Sequence, residues 1–358
     1  EMCIRDRRYQ LSKRIAELTE ALMANYFVYD TEVLEGVWFR DGKFTYEQRE
    51  EGTWLPFDTE HDTWGYADCY AWMKHSFTVP TRFAGRPVYY QILPQEGKKW
   101  AWGSPQALLY ANGEALQGFD SNHTRTRLLD CAQGGEHYEM LLNLYAGGRD
   151  YEGKIGTRLR LLSVDDEVEK LYWHLRTPLE VANLKEPDEL ARIHLLQTLN
   201  EAVSLVSFHL PYGEDFLESV REATAYLEKE LYGKREMEAT VSAVGHTHID
   251  VAWLWRLRQT RDKTSRSFAT VLKLMEEYPD YRFMSSQAQL YEFIRQEHPA
   301  IFARIRESVR QGRWEPEGGM WVEADTNLSS GESLVRQFLV GKRFFRNAFG
   351  ADCKILWL

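Results

Sequence analysis

From Ala239 to the end of the chain, short β-branched or aromatic runs alternate with longer stretches of helical period, and no other property constrains the fold as tightly. Apolar residues spaced three and four apart mark one face of a helix, whereas a short apolar run bounded by Gly or Pro marks a strand. The stretch 239–245 reads as a first strand. A helix follows near 262–277, with Phe268, Val271, Leu272 and Met275 on its buried face. A second strand at 282–286 precedes helices at 288–296 and 299–312, and a third strand lies within 314–322. A helix over 332–347 and a fourth strand at 354–358 complete the series. Such alternation builds a parallel sheet or barrel with right-handed crossovers. Functional groups then collect at the C-terminal ends of the strands.

The first strand end reads Val241-Ser-Ala-Val-Gly-His-Thr-His-Ile-Asp250, followed at once by Val-Ala-Trp253-Leu-Trp255. In extended backbone, period two places His246, His248 and Asp250 on one face. An imidazole and a carboxylate two residues apart form a compact N/O chelate for a divalent metal. His248 and Asp250 are the expected ligands, with His246 supporting them from behind. The second strand end offers Ser285, Ser286 and Gln287, and the third offers Glu323, Asp325 and Asn327. Glu323 and Asp325 are expected to bind substrate, against the plainer reading of helix caps or salt bridges. Carboxylates, amides and hydroxyls converging on a metal suit a polyhydroxylated ligand, for which Trp253 is the expected platform. Trp255 is expected in the core.

Upstream the periods differ. A helix over 9–23 carries Leu11, Ile15, Leu18 and Leu22 on one face, while residues 1–7 fall outside its pattern and look like translated adapter sequence. Short alternating segments punctuated by Gly, Pro and an Asn112-Gly113 hairpin signal predict an antiparallel β-sandwich over 31–180. Its tryptophans, Trp38, Trp54, Trp64, Trp72, Trp100, Trp102 and Trp173, are expected chiefly in the core. Helical patterns return over 181–237 as a connector. The expected organisation is thus a leader helix (1–30), the sandwich (31–180), the connector (181–237) and the first part of a truncated α/β barrel-like catalytic domain (238–358).

A net charge of −10 without a basic stripe argues against nucleic acid and against an anionic membrane surface. No apolar run reaches the roughly 20 residues that span a bilayer. The four cysteines are scattered and nothing at the start reads as a secretory signal, which points to a reduced, cytoplasmic setting. Assembly into a homo-oligomer is left open.

Three motifs occur in order over 239–358: Gly-His-Thr-His-Ile-Asp-Val-Ala-Trp-Leu-Trp, then Ser-Ser-Gln-Ala-Gln, then Gly-Gly-Met-Trp-Val-Glu-Ala-Asp-Thr-Asn-Leu-Ser-Ser-Gly-Glu-Ser-Leu-Val-Arg-Gln-Phe. Together they resemble family 38 of the glycoside hydrolases, in particular its cytosolic and bacterial α-mannosidases. The resemblance implies a retaining, metal-dependent hydrolase of terminal α-linked mannose in oligosaccharides. It matches His248 and Asp250 to two zinc ligands and Trp253 to the aromatic floor under the sugar. The metal it implies is zinc, or cobalt in the cytosolic branch. The family's nucleophile, itself a metal ligand, lies in a Pro-Asp-x-Phe-Gly segment directly after a strand like 354–358. The resemblance therefore places the nucleophile and the acid/base carboxylate beyond Leu358, and the chain by itself is expected to be inactive.

Two other readings start from the same residues. His-x-His at a first barrel strand also resembles amidohydrolase-type metal enzymes, which need further histidines from later strands; the only one after His248 is His298. A non-catalytic carbohydrate-binding fragment would instead place function in 31–180.

Overall fold

The computed structural model describes residues 2–100, 104–148, 154–187, 189–232 and 240–357. Trp102, Ala239 and Leu358 lie outside the described residues. The chain opens with helix α1 (Met2–Asn25). Residues 2–7, outside the apolar pattern, are nonetheless helical in backbone, since the segment contains neither Gly nor Pro to break it.

Among the described residues twelve strands follow: β1 (Val28–Val33), β2 (Val37–Asp41), β3 (Leu55–Phe57), β4 (Thr63–Trp64), β5 (Tyr70–Thr78), β6 (Val88–Leu93), β7 (Gln106–Ala111), β8 (Glu114–Phe119), β9 (Arg125–Leu129), β10 (His137–Tyr145), β11 (Ile155–Gly156) and β12 (Arg158–Val164). They form a four-stranded sheet in the order β1-β12-β6-β9 and a six-stranded sheet in the order β3-β2-β5-β10-β7-β8, with β4 and β11 paired apart. The pairings are antiparallel. The β7–β8 turn is Asn112-Gly113, both at positive φ, which is the chemistry that tight hairpins demand.

Period two explains how both sheets bury both faces. Met73, Leu109, Leu142 and Leu144 meet Val88, Tyr90, Ile92, Leu159 and Leu161 between the sheets. On the outer face of the smaller sheet, Tyr89, Leu162 and Val164 join the helical core. On the outer face of the larger sheet, Trp72, Leu108 and Tyr110 join the core of the C-terminal unit. Of the tryptophans expected inside, Trp64 and Trp72 are fully buried, whereas Trp38 and Trp173 are exposed.

Helix α2 (Asp166–Asn183) begins well inside the stretch expected to be strand, and Trp173 lies on it. Asp165 accepts a hydrogen bond from the Glu167 N–H, and Asp166, Glu167 and Glu169 fill the first turn, where acidic side chains favour the helix dipole. Helices α3 (Leu190–Leu205) and α4 (Glu214–Leu227) continue the layer, and a π-type turn follows over Glu228–Tyr232.

In the C-terminal unit β13 (Gly245–His246), α5 (Leu257–Glu277), β14 (Phe283–Ser285), α6 (Ala288–Glu297), α7 (Pro299–Arg310), β15 (Trp314–Pro316) and α8 (Gly331–Phe349) alternate as expected. The sheet order is β13-β14-β15, with parallel pairing. Its strands are much shorter than the apolar runs. Residues 240–244 form no strand, and Val241 and Val244 are 80% and 56% exposed rather than buried. Among the described residues β13 has a ladder partner on one side only, so an apolar run there gains no second set of hydrogen bonds. Strand β15 stops at Pro316, which lacks a donor, and Gly318 and Gly319 at φ 100° and 73° turn the chain away. The expected fourth strand is reduced to one parallel bridge between Gly318 and Leu356.

Candidate active site

Past His246 the chain leaves β13 and runs through His248 and Asp250 into a loop pinned by Thr260, a fully buried residue in the first turn of α5. The Thr260 hydroxyl donates to the Asp250 carbonyl at 3.2 Å and accepts from the Ala252 N–H and from Trp255 Nε1, each at 3.1 Å. Ala252 is held at φ 64°, a conformation a residue with a Cβ rarely takes. Sequence reasoning missed Thr260. A Thr at the start of a helix is too common a capping residue to stand out.

His248 and Asp250 come together as expected: Nε2 lies 3.3 Å from Asp250 Oδ1. The opposite ring nitrogen, Nδ1, lies 3.3 Å from Glu323 Oε2. Glu323 follows β15 and is held in turn by the two residues directly after β14. Its other oxygen accepts from the Ser286 hydroxyl at 2.6 Å, and its backbone N–H donates to Gln287 Oε1 at 3.2 Å. Gln287 Nε2 donates to the Ile249 carbonyl at 2.7 Å, between the two candidate ligands. Gln287, like Ala252, is a non-glycine residue at positive φ, 62°. Burial raises the Glu323 carboxyl above the ordinary carboxylate range and Asp250 pushes it the same way, while Ser286 and His248 oppose. The Ser-Ser-Gln motif therefore acts through Glu323, and Ser285 stays buried.

His246 lies behind His248, with ring centroids 6.4 Å apart. Its ring packs 4.4 Å from that of Trp357, and its buried Nε2 has no hydrogen-bond partner. Burial, with help from His248, lowers its pKa. Trp253 stands 65% exposed, edge-on to Trp255 at 5.4 Å. Trp255 is half-buried, with Lys263 over its face at 4.5 Å. Asp325 does not join the cluster in any direct contact. It is exposed, and its carboxylate accepts from the backbone N–H groups of Asn327 and Leu328, closing a turn before α8. His298 sits at the opposite end of α6 from Gln287 and lines a cavity with Lys43, Tyr110 and Asp262.

Zinc in tetrahedral coordination, with bonds of about 2.0–2.1 Å, holds neighbouring donor atoms about 3.3 Å apart. The spacing of His248 Nε2 and Asp250 Oδ1 fits that edge. Among the described residues no group of three His, Cys, Asp or Glu side chains is placed to hold an ion, and the pair by itself supplies two donors.

Residues 238–358 match the N-terminal domain of glycosyl hydrolases family 38. The chain is 30% identical over 308 residues to an alpha-mannosidase G of Dictyostelium discoideum, covering 80% of this chain and 27% of that protein. It is 32% identical over 317 residues to the Homo sapiens alpha-mannosidase 2C1, covering 83% of this chain and 29% of that protein. Against an alpha-mannosidase of Saccharomyces cerevisiae it is 39% identical over 145 residues, 40% of this chain and 13% of that protein. The chain thus spans less than a third of the length of these relatives. With its three motifs gathered at the strand ends of a parallel sheet, the chain belongs to glycosyl hydrolase family 38, whose N-terminal domain occupies residues 238–358.

Proposed function

We propose that this chain supplies part of the active site of a metal-dependent, retaining α-mannosidase that releases terminal α-linked mannose from oligosaccharides in the cytoplasm. The observation that carries the reading is the pairing of His248 Nε2 with Asp250 Oδ1 at 3.3 Å beside the open face of Trp253. The similarity to alpha-mannosidases supplies the sugar. His248 and Asp250 would hold the metal, zinc or cobalt, and a divalent cation there supplies Lewis acidity toward sugar hydroxyls. Trp253 offers an apolar face on which the C–H side of a hexose can stack. Glu323 borders the metal ligands from the protein side, and Asp325 shapes the rim through its turn. On this reading residues 238–358 are the opening part of a barrel-like catalytic domain, with 31–180 and 181–237 as its sandwich and helical neighbours. No described helix is long and apolar enough to cross a membrane.

The test uses a version extended to the length of the relatives. Removing His248 or Asp250 should lower metal content and turnover of an aryl α-mannoside together. Retention requires two carboxyls about 5–5.5 Å apart and a covalent glycosyl-enzyme, so proton NMR should find the α-anomer first. A first-formed β-anomer would sink the retaining mechanism, and full metal content in His248→Ala would sink the ligand assignment.

A further inference from the structure

Glu323 is built into the protein in a way that a substrate-binding carboxylate has no need to be. Its side chain is 12% exposed, against 48% for His248 and 39% for Asp250. One carboxylate oxygen accepts a hydrogen bond from the nearly buried Ser286 hydroxyl, and the other lies in charge contact with His248 Nδ1 at 3.3 Å. Its backbone is tied through Gln287 to Ile249, which closes a ring of contacts around the segment carrying both candidate ligands. Gln287 keeps a left-handed φ within that ring, a conformation that persists only where surrounding contacts over-determine it.

We propose that Glu323 is a positioning residue for the metal ligand His248, taking its Nδ1–H and thereby turning the Nε2 lone pair toward Asp250. The inference rests on the metal reading above. A neutral imidazole carries one proton, and a metal can use only the nitrogen that lacks it. A carboxylate at the far nitrogen fixes that choice and makes the ligand more basic, and removing such a partner commonly weakens metal affinity about 10–100-fold. Ser286 serves the same end one step further out by orienting Glu323.

The test follows the ring of His248 in the ¹⁵N-histidine-labelled full chain by long-range proton–nitrogen NMR while zinc alone is titrated in. His248→Gln identifies the signal. In the unaltered chain zinc should shift Nε2 and leave Nδ1 protonated. Glu323→Ala should weaken zinc binding about 10–100-fold and let zinc engage either ring nitrogen. Glu323→Gln, which keeps an acceptor oxygen, should retain most of the affinity and the same nitrogen. Ser286→Ala should fall between, and it carries the test should Glu323→Ala fail to fold. Zinc bound as tightly and through Nε2 in folded Glu323→Ala, or in Ser286→Ala if that variant stands in, overturns the positioning role alone. Zinc that leaves the His248 signals unmoved both in the unaltered chain and in a version extended to the length of the relatives removes the metal site itself, and the proposal with it.

Discussion

Side chains of one chemical type divide here between exposed faces that can meet a ligand and buried ones whose polar atoms are taken or neutral. Trp253 belongs to the first kind, being solvent-facing and touching chiefly Trp255. Trp253→Ala should therefore shift unfolding stability by no more than about 0.5 kcal/mol, while an extended enzyme loses affinity for mannosides. A large drop in urea midpoint would show that Trp253 is a packing residue. His75 is the opposite case. It sits between the sheets with Nε2 on the Tyr90 hydroxyl at 2.9 Å, and burial drives its pKa down to about 3. The unfolded chain titrates near 6.5. Between those values the unfolded state holds the extra proton, so stability falls as pH drops through the window. Between pH 7 and pH 5 the expected loss from this residue is roughly 2 kcal/mol. Urea unfolding at both values should show that loss in the unaltered chain and its absence in His75→Gln, other titrations cancelling in the comparison. Equal losses in the two proteins would mean that the ring is protonated inside the fold.

The strand–helix rhythm after residue 239 is realised as three parallel strands with helices between them, because each helix carries its own periodic apolar face and needs no distant partner to declare it. The strands were less legible. Val241 and Val244 read as buried from composition alone, yet burial of a strand depends on neighbours that a local window does not contain. Helix α2 was hidden behind Pro178 and aromatic residues, although its acidic first turn was there to be read. At the site, His248 and Asp250 were legible because two residues of extended chain bring them together. Glu323 was legible as a strand-end carboxylate but not as a partner of His248, since that contact joins residues far apart in sequence. Element packing also yields a test. A Cβ on Gly341 of α8 would press into the backbone of Gly319, Met320 and Trp321. Gln337, one turn earlier, holds the same strip, accepting from Trp321 N–H through its carbonyl at 3.0 Å and from Val322 N–H through its side chain at 2.8 Å. Gly341→Ala should cost about 1–3 kcal/mol by overpacking, measured by chemical denaturation. It should also weaken zinc binding by displacing Glu323. Unchanged stability would mean that α8 can shift without strain.

Across the whole molecule, four layers stack in order: helices α1–α4, the smaller sheet, the larger sheet, and the parallel unit that carries the site. Trp72 and Tyr110 connect the last two, so the sandwich backs the site rather than standing apart from it. What this assembly brings to chemistry is uneven. It offers two candidate metal donors and one open aromatic face. Of its nearby carboxylates, Asp250 faces His248, Glu323 is turned inward between the Ser286 hydroxyl and the His248 ring, and Asp325 closes a turn at the rim. Glycoside cleavage with retention needs one carboxylate free to attack the sugar and a second to move a proton. No such pair stands open among the described residues. We therefore predict that the 358-residue chain, purified with zinc or cobalt, does not turn over an aryl α-mannoside, while a version extended to the length of the relatives does. Zinc should still shift His248 in the short chain, which separates an incomplete site from a misfolded one. Metal-dependent turnover by the short chain, comparable to that of the long one, would mean that Glu323 or Asp325 leaves its present contacts to perform the attack.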